Sequence, residues 1–408
     1  GVADDTTAIQ NAINAATAGE IVFFPAGNYK ITAALTISNS VQIVGTGVEQ
    51  ESGAQEGTLI TVTSLTADAF TVTTRDRVLF RDFVITGPLG KTAGAGISFN
   101  PATGQNMRSR IYNTSINRMF DGIRIAGGAG DLRIRDSVIA DYVDNGIRID
   151  QSNAGNTDAG GTRIDGCTIW DLNNGASNHG ILHTGGGVVI VVNSTLQGSA
   201  YGYRMSLGLG PTGTLIFTNN HVEAQRTFGI ALGQNGINNR FDHVIISNNE
   251  FLQDLQAGFQ SNLSIVAGTP AGWLRNITVT GNVFRQINNV AFSNISLQDG
   301  EGIVVTGNTF HHNGVANPNA IGSGPNASNV LLANNVFVNM TAGQKYALAA
   351  GVGIVVDPAG VTQAALGSWA NGSQVYCSDC TIANPCAGGG TGALAKRNSV
   401  TSAMLISS

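Results

Sequence analysis

The sequence has little charge, few aromatic side chains and no long apolar run. Only 12% of its 408 residues are charged, 6% are aromatic, and the formal net charge is −5. No basic run is present to neutralise phosphate groups, so nucleic acid is not an expected partner. No stretch reaches the roughly 18 consecutive apolar residues of a transmembrane helix, so no membrane span is predicted.

Cysteine is also scarce, and three of the four cysteines lie together near the C-terminus. Cys377, Cys380 and Cys386 have the spacing Cys-x2-Cys-x5-Cys, but no histidine lies nearby to complete a zinc site. We therefore expect one disulfide among these three in an oxidising compartment, and neither a metal nor another cofactor. Cys167 stands between apolar Ile164 and Ile169, and we expect it to be buried.

The chain is rich in glycine, with 54 residues, and in Val, Ile, Asn, Thr and Ser. Between about residues 80 and 340 a short apolar strand, a polar turn and a further apolar position recur. The repeat anchors are Phe80, Ile111, Ile134, Ile164, Val191, Phe217, Ile246, Val279, Val305 and Leu332. Their mean spacing is about 28 residues, and strand repeats of this length predict a solenoid, here a parallel β-helix.

Asparagine recurs at the turn of each repeat. The positions, at one bend or one place along it, are Asn113, Asn193, Asn219, Asn248, Asn282, Asn308 and Asn334. Asparagine tolerates left-handed backbone geometry, and stacked amides can form a hydrogen-bonded ladder. These asparagines need no catalytic explanation.

A second strand in each repeat follows a glycine or another small residue. It reads DGIRI from Asp121, NGIRI from Asn145, HGILH from His179 and YGYRM from Tyr201. Strand alternation directs the isoleucine-type residues inward and the residue between them outward. The outward positions on four successive coils include Arg124, Arg148 and Arg204. In a chain of so little charge, this cluster is the strongest functional signal.

The two ends of the solenoid need covers, because an open end exposes strand edges. The segment DDTTAIQNAINAATAG predicts an amphipathic helix with Ile9, Ala12, Ile13 and Ala16 on one stripe, capped by Asp4 or Asp5 and ended by Gly19. We predict three parts: a capping helix at 1–20, a β-helix at 21–365 and a small Cys-containing appendage at 366–408.

The opening GVADDTTAIQNAIN, followed by VFFPAGNYKI, resembles the start of the pectate-lyase-type superfamily. That superfamily includes phage tailspikes, polygalacturonase-related hydrolases and bacterial exopolysaccharide enzymes. The resemblance implies an all-β, single-stranded right-handed parallel β-helix of about a dozen coils. It further implies a polysaccharide partner, an extracellular, cell-surface or virion-associated location, and a homo-oligomer such as a trimer or filament.

Two reactions fit the charged cluster. Hydrolysis of a glycosidic bond needs two carboxyl groups, and the candidates are Asp121, Asp144 and Asp150, with Asp171 and Glu223 within reach from loops. Elimination from a uronate needs a base and positive charge, which Arg148 or Arg204 with His179 or His183 could supply. Arg124, Tyr201 and Trp170 are further candidates for binding substrate. Hydrolysis is the first hypothesis and elimination the alternative.

A non-catalytic fibre, adhesin or receptor-binding spike is the third hypothesis. Arg and Asp on neighbouring coils can pair simply as a solvated charge ladder. Aromatic side chains, on which sugar rings stack, are few, and Trp170 is the one tryptophan near the charged coils. The same composition therefore suits a structural solenoid.

Overall fold

The structure is a computed structural model. It describes residues 3–47, 57–74, 77–101, 106–126, 129–150, 161–171, 177–184, 187–206, 213–233, 241–253, 259–265, 274–286, 293–312, 319–340, 342–348, 354–356, 374–377, 380–381, 392–396 and 404–406. The chain forms two compact units, Gly1–Ile216 and Phe217–Ser408. Each is a stack of right-handed parallel β-helix coils, so the predicted fold class is confirmed.

In the first unit the helix α1 (Thr6–Ala15) precedes the strands. They are β1 (Ile21–Phe23), β2 (Gly27–Ile31), β3 (Leu35–Ile37), β4 (Gln42–Val44), β5 (Thr58–Val62), β6 (Phe70–Val72), β7 (Leu79–Thr86), β8 (Ala95–Phe99), β9 (Asn106–Met107), β10 (Arg110–Asn117), β11 (Asp121–Ala126), β12 (Ala129–Gly130), β13 (Leu132–Arg135), β14 (Val138–Ala140), β15 (Asn145–Asp150), β16 (Thr162–Asp165), β17 (Thr168–Trp170), β18 (His179–His183), β19 (Gly187–Val192), β20 (Thr195–Gln197) and β21 (Tyr201–Met205).

The strand β22 (Gly213–Thr218) crosses the boundary between the units. The second unit then contains β23 (His221–Glu223), β24 (Phe228–Leu232), β25 (Phe241–Ser247), β26 (Glu250–Gln253), β27 (Ser261–Ile265), β28 (Leu274–Thr280), β29 (Val283–Gln286), β30 (Ile295–Thr306), β31 (Thr309–His312), β32 (Ile321–Ala333), β33 (Val336–Val338), α2 (Ala342–Lys345), β34 (Tyr346–Ala347), β35 (Ile354–Val356), β36 (Gln374–Cys377), β37 (Ala393–Lys396) and β38 (Met404–Ile406).

The repeat anchors stack on one another inside the coils. In the first unit Ile111 pairs in register with Phe80 and with Ile134, and the series continues through Ile164 and Val191. In the second unit the same holds from Ile246 to Leu332 through two intervening valines. All these side chains are fully buried. Burial of this continuous apolar column is the main favourable term in folding, and the predicted register is confirmed.

A column of glycines fixes how closely the coils of the first unit approach. The glycines are Gly96, Gly122, Gly146, Gly180 and Gly202. A Cβ added to any of the first four would lie 2.5–2.7 Å from the carbonyl oxygen of the next glycine in the column. Only glycine fits at these positions, which explains why these strands of the first unit contain one.

The two roles expected of the turn asparagines are carried by adjacent positions. Asn113, Asn193, Asn219, Asn248 and Asn334 have positive φ angles, between 45° and 56°. The buried amide ladder of the second unit lies one residue later and comprises Asn220, Asn249, Asn282, Asn308 and Asn335, joined side chain to side chain at 2.9–3.1 Å. Asn282 and Asn308 belong to the ladder because Gly281 and Gly307 take the positive φ.

The N-terminal helix lies against the edge of the first coil. Ile9 and Ile13 are buried as expected, whereas Ala12 is exposed and does not belong to the buried stripe. The Asp4 carboxylate accepts a hydrogen bond from the Thr6 N–H at 3.0 Å. The Gln10 amide donates to the Thr36 carbonyl and accepts from the Thr36 N–H, at 2.9 and 2.8 Å. Gln10 thus satisfies an exposed strand edge.

The C-terminal strands pair in the antiparallel sense, β36 with β37 and β37 with β38. Cys377 and Cys380 form a disulfide, which confirms one bridge within the cysteine triplet, while Cys386 lies outside the described residues. Cys167 is buried and free, as expected. The division into parts at residues 20 and 365 stays a prediction. In the described part of the chain no helix is long and apolar enough to cross a membrane.

Candidate functional site

Four neighbouring strands of the first unit carry the charged cluster. Strands β11, β15, β18 and β21 stack in parallel register. One row across them runs Asp121, Asn145, His179, Tyr201, and a second runs Arg124, Arg148, Leu182, Arg204. Ile123 and Ile125 are fully buried, while the arginine between them is partly exposed. The predicted outward ladder is therefore present, and we call the two rows the charged ladder.

Asp121 is a buried carboxylate that is matched by hydrogen bonds. Its side chain is 0% exposed. Arg124 donates to it through Nε and Nη2, both at 2.8 Å, and Asn145 Nδ2 donates at 2.7 Å. Arg124 also lies 3.8 Å from Asp68. A buried charge is costly unless it is paired and hydrogen-bonded. The Asp121 carboxylate is engaged by Arg124 and Asn145 in this way, and it offers no exposed surface to a substrate.

Asp144 is the accessible member of a carboxylate pair. Asn145 Nδ2 donates to Asp144 at 2.9 Å as well as to Asp121 at 2.7 Å, so the two acceptor oxygens are no farther apart than the sum of these distances. Burial, and then the charge of Asp121, raises the pKa of Asp144, against the opposing effects of the Asn145 hydrogen bond and of Arg148 and Arg124. Asp144 is half-buried. It is therefore a carboxyl group that retains its proton more readily than usual and can reach a ligand.

The amide of Asn145 has only one orientation that suits its neighbours. Its nitrogen faces two carboxylates, so its oxygen must face His179 Nδ1, 3.0 Å away. His179 Nδ1 then carries the proton and donates it, which leaves the Nε2 lone pair toward Arg204 Nη1 at 3.3 Å. The network fixes one neutral tautomer of His179.

His179 is held neutral by its surroundings. Burial, followed by the charges of Arg204 and Arg148, lowers the pKa of His179 to about 3. Its ring stacks on Tyr201 with centroids 5.0 Å apart, and the Arg204 guanidinium lies 4.8 Å from the centroid of the same tyrosine ring. Within the described residues Arg204 has no carboxylate in ion-pair range. It is thus a cation available to an anionic ligand.

Arg148 and Asp150 form an ion pair at the other end of β15. Arg148 Nη2 lies 3.1 Å from Asp150 Oδ2, and the two side chains are 34% and 24% exposed. Asp150 lies six positions after Asp144, which in extended chain is roughly 20 Å between α-carbons. Asp150 therefore does not pair with Asp144 across one sugar linkage. Ion pairing without any catalytic role therefore accounts for part of the predicted ladder, namely Arg148 with Asp150 and Arg124 with Asp121.

Three further predicted candidates, all in the first unit, lie away from the ladder surface. His183 is fully buried and interacts with the Tyr203 hydroxyl at 3.0 Å. Asp171 is buried and accepts from Asn178 Nδ2 at 2.5 Å. Trp170 is on β17, in a different line of strands. Glu223 belongs to the second unit, where its carboxylate lies 3.1 Å from His221 Nε2.

The structure thus brings together Asp121, Asp144, Arg124, Arg148, His179, Tyr201 and Arg204. Sequence reasoning missed Asn145, which joins both carboxylates to the histidine. A signal was present, because Asn145 occupies the position before the stacked glycine, as Asp121, His179 and Tyr201 do. Among the described residues no group of three or more His, Cys, Asp and Glu side chains could hold a metal. The cluster can bind an anion and exchange protons.

Comparison with known proteins finds a family and several similar folds. The family described as rhamnogalacturonase A/epimerase, pectate lyase-like, matches residues 1–260. No curated protein matches the sequence. The Agl-KA catalytic domain has 16% identity and a TM-score of 0.61, over 87% of this chain and 66% of that one.

Two further solved structures share the fold. A tailspike protein of E. coli bacteriophage HK620, in complex with a pentasaccharide, has 14% identity and a TM-score of 0.61, over 82% of this chain and 63% of that one. The A-module of the Azotobacter vinelandii mannuronan C-5 epimerase AlgE6 has 17% identity and a TM-score of 0.56, over 86% and 96%. The chain spans just under two thirds of the Agl-KA domain and the tailspike.

Proposed function

Because this chain belongs to the rhamnogalacturonase A/epimerase family of pectate-lyase-like proteins, we propose that it is an extracellular enzyme that processes an acidic polysaccharide. The charged ladder is the proposed site. Elimination from a uronate is the reaction that its geometry supports best, ahead of glycoside hydrolysis. The observation that favours elimination over hydrolysis is that only one carboxylate of the pair, Asp144, is accessible, whereas Asp121 is fully buried.

Hydrolysis receives less support from this arrangement. The two carboxyl groups of a glycosidase flank the scissile bond, about 5 to 9.5 Å apart, with open space between them. Asp121 and Asp144 are near each other, but the Asn145 amide fills the space between them. Asp150 is too distant along β15 to replace Asp121. A second accessible carboxyl group opposite Asp144 is what the hydrolase hypothesis lacks among the described ladder residues.

Elimination can be assigned to the residues that are present. Arg204, and Arg148 beside the same face, would bind the uronate carboxylate and stabilise the charge that develops when the C5 proton leaves. The C5–H electron pair forms the C4–C5 double bond as the C4–O bond breaks. Asp144, with its raised pKa, would protonate the departing oxygen.

The base in this proposal is one of the two stacked rings, His179 or Tyr201. The Nε2 lone pair of His179 faces Arg204, so it becomes free when that guanidinium turns to the substrate carboxylate. Tyr201 is half-buried and thus the more accessible ring. The variants His179→Asn and Tyr201→Phe separate the two, since only removal of the base should abolish turnover while substrate binding is kept.

The experiment is a panel of neutral and uronate-containing polysaccharides, with product followed by reducing ends and by the absorbance of unsaturated sugar. We expect absorbance from a uronate polymer, and we expect Asp144→Asn and Arg204→Gln to reduce it by at least tenfold, about 1.4 kcal/mol in barrier. Arg163→Gln is a matched control, because Arg163 is 42% exposed and pairs with Asp165 on another line of strands.

Two results would replace the proposal. Reducing ends without absorbance would support the hydrolase hypothesis. No product across the panel, together with retained binding of a polysaccharide, would support a non-catalytic adhesin or receptor-binding spike.

A further inference from the structure

A second concave surface lies on a different line of strands in the first unit. A cavity of about 610 Å³ opens beside β4, β7 and β10. Its polar lining consists of Ser40, Gln42, Tyr112, Arg77, Arg108 and Arg110, and we call it the arginine cleft. None of these residues belongs to the charged ladder. Its volume is within the range of about 300 to 1,000 Å³ typical of ligand sites.

The arginine cleft is cationic. Its lining includes three arginines and no aspartate or glutamate. Arg110 is oriented from behind, because Nη1 donates to the Ser109 carbonyl at 3.0 Å and Nη2 lies 3.1 Å from Asp131 Oδ2. Arg77 and Arg108 are exposed, and in the described ranges neither has a carboxylate within ion-pair distance. Two guanidinium groups are therefore free to take an anion.

The backbone that carries these two arginines is fixed. Arg108 has a φ of 57°, which is unfavourable for a residue with a Cβ, and its N–H donates to the Gly130 carbonyl at 2.6 Å. The Ser40 hydroxyl donates to the Arg77 carbonyl, also at 2.6 Å. The arginines thus extend from anchored positions at the rim.

We propose that the arginine cleft is a second binding site, for the carboxylate or sulfate groups of an acidic saccharide chain. This inference rests on the proposed function for the identity of the ligand, but its residues are separate from the charged ladder. Guanidinium groups match such oxyanions in bidentate geometry. Tyr112 is half-buried in the wall, and the Arg135 guanidinium lies 6.0 Å from the centroid of its ring. Inorganic phosphate shares the same oxyanion chemistry.

The test is titration calorimetry of the whole chain with an oligogalacturonate, with its methyl-esterified form and with inorganic phosphate. The double variant Arg77→Gln, Arg108→Gln is compared with Arg163→Gln, Arg285→Gln. Both control arginines are about half exposed, are not among the residues that line the cleft, and leave the same net charge when replaced. We expect the cleft variant alone to weaken one oligogalacturonate binding event at least tenfold. The methyl ester should not bind at that site.

Two results would overturn the inference. Equal binding by both double variants would show that the arginine cleft takes no acidic saccharide. Phosphate binding lost in the cleft variant, with oligogalacturonate binding unchanged, would assign the cleft to a free oxyanion. The two proposals can fail independently. Turnover tests the charged ladder, whereas the binding event measured by calorimetry tests Arg77 and Arg108.

Discussion

The buried histidine of the charged ladder makes stability depend on pH in a defined direction. The pKa of His179 falls from 6.5 to about 3 on folding, mainly because the ring is buried and then because Arg204 and Arg148 are close. Below pH 6.5 the unfolded chain binds a proton at this histidine and the native chain does not. Its contribution to stability is therefore lost as pH falls from 6.5 toward 3, and is constant above that range.

The size of the effect follows from the shift. Each pH unit below the unfolded pKa costs about 1.4 kcal/mol while the native ring stays neutral. Between about pH 7.5 and pH 4.5 the loss should be roughly 2 to 3 kcal/mol. His179→Asn removes the titrating group but keeps a side-chain N–H donor for the Asn145 oxygen. The difference in unfolding free energy between the wild-type protein and this variant isolates the contribution of His179.

The assay is urea denaturation of both proteins across that pH range. The wild-type protein should lose stability relative to His179→Asn as the solution is acidified, by the amount above. His243→Asn is the control for loss of a histidine, since His243 is 71% exposed and does not belong to the charged ladder. A pH-independent difference, or one that grows in favour of the wild-type protein at low pH, would refute the buried, neutral histidine.

Three further predictions concern the scaffold. Gly146→Ala should lower the free energy of unfolding by about 1 to 3 kcal/mol in a thermal melt, because the new Cβ would lie 2.6 Å from the Gly180 carbonyl oxygen. Gly161→Ala is the control and should be neutral, since the nearest atom to its new Cβ is 3.8 Å away; equal effects of the two variants would contradict the glycine column. Asn282→Ala should cost at least about 3 kcal/mol in the free energy of unfolding, since it removes the acceptor of the Asn249 N–H and Nδ2 and the donor to the Ile246 carbonyl and Asn308 Oδ1. A loss under about 1 kcal/mol would argue against the ladder. Cys167 should resist iodoacetamide in the native protein and react after unfolding, as judged by peptide mass, because burial raises its thiol pKa to about 12; rapid native labelling would disagree.

The fold could be predicted because its determinants are local and periodic. Each anchor, such as Ile111 or Val279, recurs at nearly constant spacing, so the stacked register follows from the sequence. The turn asparagines were harder, because left-handed geometry and the amide ladder occupy adjacent positions, as Asn248 and Asn249 show. The sequence does not indicate which of two neighbouring amides points inward.

The candidate site could be predicted only as a group of side chains on four coils. Period-two alternation directed Arg124 and Arg148 outward, as the structure shows. It did not indicate that Asp121 would be buried, because that depends on Arg124 folding back onto it within the same strand. The role of Asn145 depends on contacts from two other coils. Such cross-coil geometry requires coordinates.

We propose that the charged ladder cleaves an acidic polysaccharide by elimination. The most direct measurement is the ratio of unsaturated ends to new reducing ends when the wild-type protein acts on a uronate polymer. We expect a ratio near one, because each elimination forms one unsaturated end and one reducing end, with both signals lost together in Arg204→Gln. New reducing ends without unsaturated ends would contradict it.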